Sequence, residues 1–287
     1  MAHHYKEYDP EVLKKLQKVQ TGILKDFALI CEEHGLSYFL LGGSGIGVVR
    51  HQGFIPWDDD IDVAMPRKDY DILLDAIEKE MGDKYKILTP LTNEDYSVNV
   101  TKIQKKGTKF VPFHARNSKC ERCIDIDIFP LDNMPDDGKK RTRQLRRTWL
   151  LDKLLFLRGC GEPDIPFGGW QNKFAMMICK MVHIVLKVCR ISPAFLYRLL
   201  EKEETRYNDQ TTKYMNTFRV TMSNKSYISK DEMYPLVKMP FEDMEVYMPK
   251  EYDRYLTRLF GDYMTMPPIE KRVNHCPDVL DFGEEYE

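Results

Sequence analysis

The chain has 287 residues, 43% hydrophobic and 31% charged, which is enough for one large domain or two modest ones around a sizeable core. Its 43 basic and 45 acidic residues nearly cancel to a formal charge of -2, so composition gives no argument for a nucleic-acid partner. The opening MAHHYKEYDPEVLKK lacks an apolar h-region, no run of 18 uncharged apolar residues occurs, and the seven cysteines are scattered; the expectation is a cytoplasmic protein without a spanning helix.

Residues 10–34 place Val12, Leu13, Leu16, Val19, Ile23, Leu24, Phe27 and Ile30 at helical spacing, with Gly35 as the stop. SYFLL (37–41) reads as a buried strand, and GGSGIGVVR after it as a glycine-rich turn entering a short helix. DIDVAM (60–65) alternates as a second strand; Pro66 ends it, and RKDYDILLDAIEKE forms a helix with Tyr70, Leu73, Leu74 and Ile77 on one face. Four more strands are expected at 85–88, 96–104, 108–113 and 123–129. Cys120 and Cys123 form a lone CxxC with no second pair at zinc-site spacing, so packed, reduced thiols are expected there.

After FPLDNMPDDG the chain turns mostly helical. KKRTRQLRRTWLLDKLLFLRG carries Arg143, Arg146 and Arg147, suited to a solvated face or to anionic lipid. Beyond the Pro/Gly-rich loop at 159–170, the next helix repeats Lys173, Lys180 and Lys187 every seventh residue among apolar positions. Two readings stand for it: a helix buried on most faces with a narrow wet stripe, or one in contact with a membrane interface. A third helix follows at 191–208, then a strand at 244–248 and a helix stopped by Gly261.

The chemistry concentrates in WDDDIDV, which packs four aspartates into positions 58–62. Strand alternation puts Asp60 and Asp62 on one face and Ile61 and Val63 on the other. Two carboxylates fixed on one face repel unless a cation sits between them, and Mg²⁺ (or Mn²⁺) suits one or two carboxylates plus substrate phosphates. CIDIDIF repeats the layout, with Asp125, Asp127 and Phe129 on one face. Neighbouring strands would then gather three or four carboxylates, the arrangement of two-metal phosphoryl-transfer sites. Gly42, Gly43 and Ser44, between a strand and a helix, suit close approach of a phosphate to helix amides. Asp58 is expected as an outer helper and Asp59 as a solvated neighbour. Arg50 and His51 suit phosphate, or else pairing with the acidic cluster, and Trp57 suits packing or ligand contact.

GGSGIGVVRHQGFIPWDDDIDVAMPRKDYDIL, IDIFPLDNMP and the closing MEVYMPKEYDRYLTRLFGDYMTMPPIEKR resemble the LicD family, within the nucleotidyltransferase superfamily that also holds fukutin and fukutin-related protein. What the resemblance implies is an α+β fold: a nucleotidyltransferase-like mixed β-sheet with flanking helices at residues 1–135, and a mainly helical region at 136–287 packed on it and completing the substrate site. It further implies metal ligands at Asp60, Asp62 and Asp127, with Asp58 as a further candidate, and a phosphate turn at Gly42, Gly43 and Ser44, where Gly45 loosens the family's usual pattern. Asp127 would also take the acceptor's proton. The implied activity is transfer of phosphorylcholine from CDP-choline to a sugar hydroxyl of teichoic acid or lipopolysaccharide, releasing CMP. The implied partners are a CDP-linked donor and a glycan or lipid-linked glycan acceptor; the basic segment at 139–149 and the Lys-striped helix add an expectation of peripheral contact at the inner face of the membrane. Trp57, Phe129 and Trp170 are candidates for an aromatic cage around choline. A nucleotidyltransferase modifying a small molecule stands as the alternative enzyme, and a silent glycan- or choline-binding domain as the alternative of another class.

Overall fold

In the computed structural model of the protein, residues 7–112, 115, 119–163, 169–218 and 226–284 are described. Phe113, at the end of the strand expected at 108–113, and residues 164–168 of the Pro/Gly-rich loop lie outside them.

Helix α1 (Pro10–Glu33) starts at Asp9, whose carboxylate accepts from the Glu11 and Val12 amides, and buries Leu16, Val19, Ile23, Leu24, Phe27 and Ile30. Strand β1 (Phe39–Leu40) leads into α2 (Gly42–His51), and β2 (Asp62–Pro66) into α3 (Arg67–Glu80). Strands β3 (Tyr85–Leu88), β4 (Thr101–Lys105), β5 (Lys109–Pro112) and β6 (Asp125–Met134) follow. The central sheet runs β1-β2-β6-β4-β3; β2 and β6 are parallel, and the other pairs on this path are antiparallel, which makes the fold mixed α+β.

Three strands differ from expectation. β2 begins at Asp62 and not at Asp60, so Asp60 lies in the loop before it. Residues 96–100 are not strand; the Tyr96 hydroxyl instead turns back to the Val100 carbonyl. β6 does not stop at Phe129 but runs through Pro130 to Met134. The Asp127 amide donates to Ile61 of the β2 side, so odd-numbered amides of β6 address β2 and even-numbered ones the opposite edge. On that edge β4 pairs as far as Ile128 and β7 (Tyr214–Asn216) begins at Asp132. Pro130 falls in the gap, where its missing N–H costs no ladder bond.

Helices α4 (Gly138–Gly159), α5 (Gly169–Val188) and α6 (Pro193–Glu204) follow β6. α4 and α6 pack around Leu155, Leu196, Tyr197 and Leu200. Arg67 ties them to the sheet: its guanidinium donates to both Asp132 oxygens at 2.8 and 2.6 Å and reaches Glu201 and Glu204 of α6. The reading of α5 as mostly buried is overturned, because Leu186 is its one buried residue. Strand β8 (Ile228–Ser229), helix α7 (Lys230–Met233), the β9 (Val237–Phe241) and β10 (Met244–Met248) hairpin, α8 (Tyr252–Phe260) and β11 (Pro277–Asp281) complete the chain. β11 pairs with β5.

Candidate active site

The parallel pairing of β2 and β6 sets Asp62 opposite Asp127, and the antiparallel pairing of β4 sets Lys102 opposite Asp127 on its other side. Lys102 Nζ lies 2.5 Å from Asp127 Oδ1 and 3.0 Å from Asp125 Oδ1; Gln104 also donates to Asp125. α2 begins directly beside this row. The Leu41 amide donates to the Asp62 carbonyl, and the Asp62 amide donates to the Ser44 hydroxyl at 2.9 Å. A Cβ on Gly42, whose φ is +60°, would stand 3.1 Å from Asp62 Oδ2, and one on Gly43 would stand 3.0 Å from Asp58 Oδ2. The two glycines therefore let both carboxylates lie against the first turn of a helix whose N-cap, Leu41, offers no side-chain acceptor.

The loop between α2 and β2 is held from three sides. Gln17 and Gln20 of α1 donate to the Asp58 and Asp59 carbonyls. Asp59 itself corrects the sequence expectation. At 1% exposure it is not solvated; it accepts from the Tyr8 hydroxyl at 2.6 Å and from the His275 amide at 2.9 Å. His275 Nδ1 lies 3.3 Å from Asp59 and 3.4 Å from Asp60. The segment after α8 ties down at two more points. Arg50 Nη1 donates to the Tyr263 carbonyl at 2.7 Å, and the Arg272 guanidinium covers the Trp57 ring at 4.1 Å.

Crowded carboxylates in a dry place resist ionisation. Burial, and then repulsion from Asp60, push Asp58 and Asp62 well above the usual carboxylate range. Burial raises Asp60 too, against the pull of His275, and raises Asp127 to about 6 against the pull of Lys102. The hydrogen bond to Asp59 raises His275 to about 9. Burial pulls Lys102 down, but Asp125 and Asp127 carry it well above its ordinary value. A hard divalent cation fits this donor set in its chemistry: oxygen ligands only, with Asp62 and Asp127 opposite each other across β2 and β6. Among the described residues no three His, Cys, Asp or Glu side chains are drawn together at ligating spacing; Lys102 and His275 hold the carboxylates instead.

The structure thus brings together Asp58, Asp60, Asp62 and Asp127 with Gly42, Gly43 and Ser44. Arg50 donates to His51 at the far end of α2, and among the described residues neither forms an ion pair with the aspartates. Trp57 and Phe129 are each 7% exposed, and the Arg272 guanidinium already covers one face of the Trp57 ring. Trp170 is 74% exposed, at the start of α5. Cys120 and Cys123 are both buried. Sequence reading missed Lys102 and His275. A lone lysine among Val98, Val100 and Ile103, beside a DxD strand, was the available signal for the first; His275 carries none.

A helix start laid over a row of carboxylates on neighbouring strands defines a nucleotidyltransferase-like domain. Residues 35–150 match the family described as LicD/FKTN/FKRP, nucleotidyltransferase domain. The lipopolysaccharide cholinephosphotransferase LicD of Haemophilus influenzae is 29% identical over 280 residues, covering 92% of this chain and 95% of that one. Uncharacterized proteins of Rickettsia prowazekii and Rickettsia typhi are each 36% identical over 47 residues, 16% of this chain and 18% and 15% of theirs. The likeness to the LicD family thus rests on the match over residues 35–150, and the likeness to a LicD protein runs along nearly the whole chain.

Proposed function

We propose that this enzyme transfers phosphorylcholine from CDP-choline to a sugar hydroxyl of a cell-surface glycan, lipopolysaccharide or teichoic acid, and releases CMP. The observation that carries the reading is the Asp62–Asp127 register across parallel strands, with Asp60 two residues away and the α2 start beside them. Support for choline and for a glycan acceptor comes from the cholinephosphotransferase that aligns along nearly the whole chain.

Asp60, Asp62 and Asp127 would hold Mg²⁺ or Mn²⁺, with Asp58 behind them. Bound there, the ion neutralises a diphosphate and polarises its phosphorus–oxygen bonds. The remaining work falls to the chain. The side-chain-free turn at Gly42 and Gly43 leaves helix amides open to phosphate oxygens, and Ser44 fixes the Asp62 backbone. The acceptor hydroxyl gives its proton to Asp127 while its oxygen bonds to the choline-bearing phosphorus. The bond from that phosphorus to the bridging oxygen breaks, and CMP leaves with the electron pair. In the metal-free site the Asp127 carboxyl is raised to about 6 by burial and is still ionised at neutral pH, so it is free to accept a proton. Lys102 keeps Asp127 oriented.

The test is incubation with Mg²⁺, an acceptor glycan and a panel of CDP-linked donors, following both halves of each donor. The proposal requires free CMP and choline phosphate on the acceptor. A nucleotide on the acceptor contradicts it, and preference for a CDP-polyol overturns the choline assignment.

A further inference from the structure

Apolar helices in folded proteins normally turn most of their apolar residues to a core, and α5 turns few of them there. It is a 20-residue helix in which Leu186 alone is buried, beside the half-buried Val182 and His183; the His183 ring meets the Leu157 carbonyl of α4 at 2.6 Å. At about 100° per residue, the exposed Trp170, Phe174, Met177, Met181, Ile184 and Val188 lie in one arc roughly 80° wide, on a side away from Leu186. The exposed Lys173, Lys180 and Lys187 form a row along one border of that arc. No Asp or Glu occurs in Gly169–Val188; the one acidic contact described is Glu162 of the preceding loop, on Lys180.

Two physical features identify the occupant. The exposed arc mixes aromatic, Met and branched side chains and is far larger than the single scattered apolar residues of an ordinary surface. The charge beside it is of one sign, and lysine stems can lie along an apolar surface with the ammonium groups at its polar edge. An acidic protein partner would satisfy the lysines but would meet a convex helix, whose described surface offers it a shallow groove lined by Lys173, Met177, Lys180, Met181 and Ile184. A bilayer surface satisfies both features at once. Among the described residues no helix is long and apolar enough to cross a membrane, so the helix would lie in the interface plane.

We propose that α5 is an interfacial helix that docks the protein on an anionic bilayer, its Trp170–Val188 face among the acyl chains and its lysine row at the headgroups. Docking of this kind would keep the acidic site near lipid-linked sugar acceptors. The docking itself does not depend on the transferase reading, because vesicle binding is measured without turnover.

The experiment is co-sedimentation of the full chain with vesicles of phosphatidylcholine, with and without about one third phosphatidylglycerol. Anionic vesicles should carry the protein down and neutral ones leave most of it in solution. Phe174→Glu with Met181→Glu should abolish binding, and Ser at positions 173, 180 and 187 should weaken it about a hundredfold, since each lysine near an anionic surface counts for several-fold. Both variants should keep the far-ultraviolet circular dichroism and melting temperature of the parent. Equal binding of the parent to both vesicle types, unchanged binding of the Glu variant, or no binding at all overturns the proposal. So does sedimentation velocity showing a parent dimer that the Glu variant splits, which would give the face to a second copy.

Discussion

Asp62 stands among groups that push its proton affinity up: a dry setting, Asp60 and Asp127. A neutral side chain of the same shape relieves that conflict. Asp62→Asn should therefore raise the stability of the protein in EDTA by about 1–2 kcal/mol, a few degrees in melting temperature. Magnesium should stabilise the parent and not the variant. His275 works with the opposite sign. Its folded value of about 9 lies above the ordinary 6.5, so its contact with Asp59 contributes below about pH 6.5 and is lost as pH rises through 9. With its side chain 47% exposed the contribution is screened, to about 1 kcal/mol. Urea titrations in EDTA should find His275→Ala less stable than the parent at pH 7 and closer to it at pH 10. The acidic pair was legible in WDDDIDV because strand alternation alone separates Asp60 and Asp62 from Ile61 and Val63. Asp59 was not. Its burial depends on Tyr8 and His275, which are far away in sequence, and no local pattern encodes them.

Among the elements, β6 matters most. It pairs with β2 along Asp127–Leu131, with β4 along Asp125–Ile128 and with β7 along Asp132–Met134, so the strand that presents Asp127 also joins the two halves of the chain. Its far end carries Asp132, fully buried and gripped by Arg67. Breaking a buried pair leaves an uncompensated charge, and Arg67→Met should cost about 3–5 kcal/mol in urea denaturation, whereas adding Asp132→Leu should recover part of it. A double-mutant cycle reads the coupling directly. The α/β order of the first half was legible from its hydrophobic periods, and so was the α2 start from its glycines. The length of β6 was hidden, since Pro130 argues against a central strand until the gap between β4 and β7 is known. The exposure of α5 was left open by its sequence. The apolar, lysine-striped pattern suits a buried helix or an interfacial one, and only the tertiary fold shows that little packs against it.

At the scale of the whole molecule, both ends of the chain converge on the site loop. Tyr8 and His275 meet on Asp59, Arg272 lies over Trp57, and Arg50 holds the Tyr263 carbonyl. The acidic loop is thus positioned by segments more than 200 residues apart. Asp59→Ala should loosen all of them together. Hydrogen exchange should speed up in residues 54–61 and 272–277 with little change in β3 and β4, and transfer should fall although Asp60, Asp62 and Asp127 remain. The central claim is that these three carboxylates, Asp62 and Asp127 on adjoining strands and Asp60 in the loop just before β2, run a divalent-cation-dependent transfer of choline phosphate. The most direct test follows choline-labelled CDP-choline with Mg²⁺ and lipopolysaccharide, comparing the parent with Asp62→Asn and Asp127→Asn. The account predicts label on the glycan and equivalent CMP from the parent, nothing in EDTA, and at least about a thousandfold loss in both variants. Label transfer that survives in either variant, or that proceeds undiminished in EDTA, would contradict it.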